Sequence, residues 1–204
     1  MVREAVAGGV LVGLVFAAAL WFRANPAQTF VDNWGSSLVH PDPHASVWVR
    51  VTDLRSPAVL GVGSVLAAAV VVGRDRWRAL ACLVGPVLAV VLTEYLLKPV
   101  IARRYTDLLS FPSGTTTAVA ALATAWVLAV PRRWRPAVAA VGVVLVALEC
   151  IAVVALQYHF ATDALGGTAI GVGVLLLLDG GVHLAVGGRL TGGPASVTHM
   201  PGAP

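Results

Sequence analysis

Charge is scarce in this sequence. Only 12% of its 204 residues are Asp, Glu, Lys or Arg, 58% are hydrophobic, and the mean hydropathy is +0.84. A soluble domain of this length cannot hide so much apolar surface. A soluble globular protein is therefore excluded, and the excess is expected to face lipid. Cysteine is nearly absent. Cys82 and Cys150 both lie inside apolar runs, read as packing residues, and say little about redox compartment. No internal repeat divides the chain, whose length fits one domain. The net charge of +4 does not imply nucleic acid as a partner. The basic residues sit in short tracts beside apolar runs, where membrane topology accounts for them.

What is abundant is apolar sequence in runs. A membrane-spanning helix needs roughly 20 mostly apolar residues. Six segments qualify or nearly do: Ala5–Phe22, Pro57–Gly73, Ala79–Leu97, Gly114–Val130, Ala137–Leu156 and Asp163–Leu178, the last extending toward Gly187. The first is read as a span and not a signal peptide, because its run is long and no clear cleavage site follows. The expected fold is all-α: a six-helix transmembrane bundle over residues 1–187, followed by a disordered tail, 188–204, rich in Gly, Pro, Ser and Thr. With six spans, Arg3, Arg74, Arg76, Arg78, Arg132, Arg133, Arg135 and Arg189 share the cytoplasmic side with both termini. Arg23, Arg50, Arg55, Lys98, Arg103 and Arg104 fall outside, in a protein of the plasma membrane whose site faces outward. Three of these outer cations are packed into "LLKPVIARRY", against the usual bias, which points to a role other than topology. The long outer connection Arg23–Ser56, with Trp34 and Trp48, is expected to hold an interfacial helix or cap.

On this topology three stretches meet at the outer face: Lys98–Arg104, Pro112–Gly114 and His159–Asp163. Pro-Ser-Gly before a helix supplies a capping Ser113 and a glycine that lets a ligand approach the backbone. A helix start carries unpaired N–H groups and the positive end of the dipole, and so favours phosphate. Guanidinium groups grip phosphate oxygens in pairs, and Lys adds a point charge. His159 and Asp163 are four apart and share a face at a helix start. A carboxylate on one ring nitrogen fixes the tautomer and leaves the other nitrogen free as a nucleophile. Each feature alone has a plain structural reading. Together on one face they favour function.

Together, "LLKPVIARRY", "FPSG" and "QYHFATDALGG" resemble the type-2 phosphatidic acid phosphatase superfamily, which is related to the vanadium haloperoxidases. Its membrane members have six helices and three motifs on one face: Lys-x6-Arg-Pro, Pro-Ser-Gly-His and Ser-Arg-x5-His-x3-Asp. The resemblance implies a metal-independent hydrolase of phosphoric esters or diphosphates with no cofactor, acting on a membrane lipid phosphate. In the family the last His attacks phosphorus, the Asp orients it, and the Pro-Ser-Gly-His histidine protonates the leaving group. His159 and Asp163 match the nucleophile and its partner, Lys98 the first-motif Lys, and Ser113 and Gly114 the second motif. The first-motif Arg-Pro falls on Tyr105 and Thr106, so Arg103 or Arg104 is expected to serve in its place. The second-motif His is Thr115, expected to donate one hydrogen bond. The third-motif Ser-Arg falls on Ala152 and Val153, and no Lys or Arg lies between Arg135 and Arg189 to replace it.

The nucleophile therefore survives where the general acid and one phosphate clamp do not. A missing general acid costs about 10²–10⁴-fold. Expelling an alkoxide from a monoester needs that proton badly, whereas expelling phosphate from a diphosphate needs it far less. The expected substrate is a polyprenyl-type diphosphate in preference to phosphatidic acid. The alternative is a catalytically impaired lipid-phosphate-binding protein of the same fold. Auxiliary candidates are His44 (with His40) as a substitute acid from the outer connection, and Arg50 or Arg55 as a substitute clamp. Glu94 is expected to pair with Lys98. Glu149, inside a span, is a functional candidate by depth, with a protonated structural carboxyl as the plain alternative. A transporter is the remaining reading, with Glu149 its only feature.

Overall fold

The computed structural model describes residues 2–39, 41–42 and 45–191, without the side chains of 187–191. The chain is mostly helical. Helix α1 (Val2–Ala24) leads into α2 (Phe30–Leu38) and α3 (Ser46–Thr52), which lie in the long connection. Helices α4 (Pro57–Val72) and α5 (Arg76–Val91) follow as a hairpin. α5 passes through a π-helical turn, Leu92–Leu97, into the short α6 (Lys98–Ile101). Two strands, β1 (Arg104–Tyr105) and β2 (Leu108–Leu109), pair antiparallel with Arg104 opposite Leu109. Helices α7 (Gly114–Ala129), α8 (Arg135–Ala155) and α9 (Ala161–Thr191) complete the chain.

The helix starts are written in the sequence. Thr29 and Asp32 form a reciprocal capping box on α2. Ser56 caps α4, whose first residue is Pro57. The Asp75 carboxylate accepts from the Arg78 N–H at 2.9 Å and caps α5. α6 stops at Ala102, which is left-handed at φ 57°.

All six expected apolar segments are helical. Four stretches are long and apolar enough to cross a bilayer alone: Val2–Ala24, Arg76–Ile101, Arg132–Ala155 and Ala161–Val186. A fifth arises if Ser46–Arg55 and Pro57–Val72 count as one span across a 48° bend. These helices make the chain an integral membrane protein. α7 is the short one. Its 16 residues reach about 24 Å, less than the ~30 Å hydrocarbon core. It has no need to meet lipid, because α4, α5, α8 and α9 all pack against it and Gly114–Ala121 is buried without interruption.

α9 is the second axis of the fold, packed on α1, α5 and α7. Its glycines permit close approach. A Cβ at Gly171 would lie 2.6 Å from the Thr117 carbonyl oxygen, so only glycine fits this crossing. Large apolar side chains such as Leu14, Val62, Val143 and Leu165 stay exposed on the outside, as lipid-facing residues should. α9 continues through Thr191, beyond the expected boundary at 187, and the rest of the expected tail lies outside the described residues.

Candidate active site

The three stretches converge. Lys98, Arg104, Thr115 and His159 line one cavity of about 650 Å³, joined by Arg55, Glu94, Asp107 and Tyr158. Each side chain reaches it from a different element. Lys98 opens α6 and Glu94 lies one turn earlier in the π-helical segment. The Lys98 Nζ donates to both Glu94 carboxylate oxygens, at 2.8 and 2.9 Å. Pro99 has no N–H to continue an α-helical ladder, which suits it to the turn after a π segment. Arg104 begins β1 and donates to the Asp107 carbonyl at 2.8 Å. Arg55 sits at the bend before α4.

The tip of α7 is less bare than its sequence suggests. The Ser113 hydroxyl accepts the Thr116 N–H at 3.5 Å, and the Ser113 carbonyl accepts the Thr117 hydroxyl at 2.8 Å. The Glu94 carboxylate stands against Gly114, where any Cβ would collide with it. An anion therefore already faces the positive end of α7. Ser113 also ties the second stretch to the third, because its N–H donates to the Asp163 carbonyl at 2.9 Å.

Arg103 and Arg104 part company. Arg103 is 1% exposed and lies off the cavity. Its Nη1 donates to Asp163 Oδ1 at 2.7 Å and its Nη2 to Asp32 Oδ2 at 2.8 Å. The guanidinium carbon is 3.9 Å from the Phe22 ring centre and 4.4 Å from that of Phe160. Of the two arginines expected at the phosphate, only Arg104 reaches the cavity. The other holds two carboxylates behind it.

His159 precedes α9 in the turn from α8, with its backbone N–H donating to Val153 O at 3.2 Å. Its Nδ1 is buried without a hydrogen-bond partner and stands 3.8 Å from Asp163 Oδ2, beyond hydrogen-bond length. Asp163 is fully buried, and its Oδ2 accepts the Phe160 N–H at 3.0 Å.

Asp32 went unseen in the sequence because Thr29-x-x-Asp32 reads simply as a helix cap. Its carboxylate also accepts from the Thr162 N–H at 2.9 Å and the Thr162 hydroxyl at 2.7 Å. Burial pushes its pKa up, but the hydrogen bonds from Thr162, Thr29 and Arg103 outweigh this and hold it below the ordinary value.

Of the auxiliary candidates, Arg55 is at the cavity and Arg50 is not among its lining residues. Glu149 is fully buried in α8, off the cavity, with neither carboxylate oxygen hydrogen-bonded. His40 and His44 lie outside the described residues. Among the described residues, no group of three or more His, Cys, Asp or Glu side chains is placed to hold a metal ion.

Residues 93–180 match the family model of the PAP2 superfamily. Over that stretch, which includes Lys98, Ser113, His159 and Asp163, the chain is similar to the type-2 phosphatidic acid phosphatases, as its motifs imply. Asp32 and Arg55 fall outside the match. No curated protein and no solved structure matches the chain.

Proposed function

We propose that this protein is a membrane lipid phosphatase that releases phosphate from a polyprenyl-type diphosphate through a phosphohistidine on His159. The family match supports a phosphatase-type activity in general terms. The observation that carries the finer reading is the gathering of His159, Lys98, Arg104, Arg55 and Thr115 around one cavity. α7 completes a six-helix bundle in which both termini are cytoplasmic and the cavity opens outward at the plasma membrane.

An imidazole nitrogen of His159 attacks the terminal phosphorus. The bond to the bridging oxygen breaks, and its electron pair leaves on the lipid monophosphate, a stable anion that needs no proton. Water then attacks phosphorus, the P–N bond breaks, and inorganic phosphate and neutral His159 result. Lys98, Arg104 and Arg55 neutralise the transferred group's equatorial oxygens, with Arg55 in place of the missing third-motif arginine. Thr115 donates one hydrogen bond, and the Ser113-Gly114 backbone adds its dipole once Glu94 has withdrawn. Asp163 orients His159. Catalytic hydrogen bonds are often long without substrate and tighten in the complex, which suits the 3.8 Å gap. No step draws on a metal or cofactor.

The test is phosphate release by purified wild type and His159→Ala, from a polyprenyl diphosphate and from phosphatidic acid. Wild type is expected to act faster on the diphosphate, to trap labelled phosphate on His159, and to lose at least ~10³-fold on substitution. Equal rates in both proteins would favour the lipid-phosphate-binding alternative. Faster release from phosphatidic acid would overturn the substrate preference.

A further inference from the structure

We propose that Asp32, on the outer helix α2, is a positioning residue for His159: by sharing Arg103 with Asp163 it fixes the carboxylate behind the nucleophile and keeps that side of the ring negative. The inference rests on His159 being the nucleophile.

Asp32 is the only fully buried residue of α2. A helix that merely covered the site would bury apolar groups. This one buries a carboxylate, which is costly unless it is fully paired. The pairing exceeds what a cap requires. Thr29 supplies the capping hydrogen bonds, at 2.9 and 3.0 Å. Three further donors, Arg103 Nη2, Thr162 N and Thr162 Oγ1, come from the first and third catalytic stretches. The Thr162 hydroxyl also lies 2.7 Å from Arg103 Nη1, the nitrogen that holds Asp163. Asp32 therefore closes a loop that fixes Arg103, Thr162 and Asp163 together.

The charge count shows what the loop does. One guanidinium serves two carboxylates, Asp32 and Asp163, both buried. The group as a whole carries one net negative charge beside His159. Without Asp32, Arg103 would belong to Asp163 alone and that field would vanish. A shared cavity supports the link. Asp32 and His159 both line a small polar cavity of about 40 Å³, with Tyr105 and Gln157, distinct from the phosphate cavity. Among the described residues, the other charged groups around His159 are Glu94, Lys98, Arg104, Asp107 and Arg55 across the phosphate cavity, with Tyr158 beside it. None of them changes when Asp32 is replaced.

The experiment uses the full chain in detergent with farnesyl diphosphate as probe, comparing wild type, His159→Ala, Asp32→Asn and Thr162→Val. For Asp32→Asn, kcat is expected to fall about 10- to 100-fold, the scale of a misplaced reacting group. KM should stay within about twofold. The acid limb of kcat/KM should move to lower pH, because the imidazolium loses a nearby negative charge. Wild-type kcat, a rise in KM alone, or a loss of kcat with the acid limb unmoved would each overturn the proposal. Should Asp32→Asn not fold, Thr162→Val decides on kcat and KM. It removes only the hydroxyl that bridges Asp32 and Arg103 and leaves every charge in place, so a smaller fall in kcat with KM and the acid limb unmoved is expected, and wild-type kcat would overturn the proposal. Wild type no faster than His159→Ala would sink the hydrolase reading and this inference together. Turnover by wild type with an indifferent Asp32→Asn would sink only the role of Asp32.

Discussion

On the proposed function, the Glu94 carboxylate stands where an incoming phosphate has to go. It neutralises Lys98 and faces the start of α7 at Gly114, so substrate must take both partners from it. Its two attachments, an i,i+4 ion pair and a helix dipole, are together worth about 1 kcal/mol. Glu94→Gln should therefore bind phosphate more tightly, with the inhibition constant of inorganic phosphate falling about fivefold. Weaker inhibition would mean instead that Glu94 is needed to hold Lys98 in place. The neighbouring arginines show what a sequence can and cannot disclose at this scale. Residues 103 and 104 enter an extended segment, where successive side chains point to opposite faces. One was bound to turn inward and the other outward, but spacing from Lys98 does not say which. The face that Phe22, Phe160 and two carboxylates offer decides it, and those come from three other parts of the chain.

At the scale of elements, the pairing of α7 with α9 sets the register of the site, since each helix begins with one of its stretches. Ser113 N donates to Asp163 O, and the Thr116 hydroxyl donates to Ala164 O at 3.1 Å. Below this, Gly171 lets α9 rest on the α7 backbone, 2.6 Å and 2.8 Å being the distances from its missing Cβ to Thr117 O and Ala121 N. Gly171→Val must push the helices apart. Overpacking of this kind costs about 1–3 kcal/mol, and a displacement near 1 Å at the helix starts costs about 10²-fold in rate. Both melting temperature and kcat should fall. Gly181→Ala is the control, because a Cβ there meets nothing within 4 Å, and its melting temperature should not drop. Apolar runs and capping residues made these helices legible beforehand. Their neighbours were not legible, and α2 is the clearest case. Its one buried side chain is charged, so no apolar periodicity marks the face it docks.

Across the whole molecule, α9 links two polar clusters separated by an apolar middle. The end at the candidate site holds Asp163. Sixteen residues on, about 24 Å along the helix, lies Asp179. Arg78 grips it with paired bonds, Nε to Oδ1 at 2.9 Å and Nη2 to Oδ2 at 2.8 Å. His183 adds 2.8 Å and 2.6 Å contacts to Asp75 Oδ2 and Asp179 O. This cluster joins α9 to the start of α5, at the end of the bundle that carries the Arg74–Arg78 turn. None of its side chains reaches the cavity lined by Lys98 and His159. Its work is therefore to hold the fold, and the two ends should separate in experiment. Asp179 is fully buried and Arg78 mostly so. Removing one partner leaves an uncompensated charge, which costs about 3–5 kcal/mol. Asp179→Leu should lower the melting temperature sharply, and Arg78→Met should do the same. The double variant should be milder than either alone, because replacing a buried pair with apolar side chains is often close to neutral. Below its own melting temperature each variant should keep wild-type kcat, whereas Asp32→Asn loses kcat while still folded. A loss of kcat in folded Asp179→Leu would show that the two clusters communicate through α9, and the division of labour between the ends of the bundle would have to be given up.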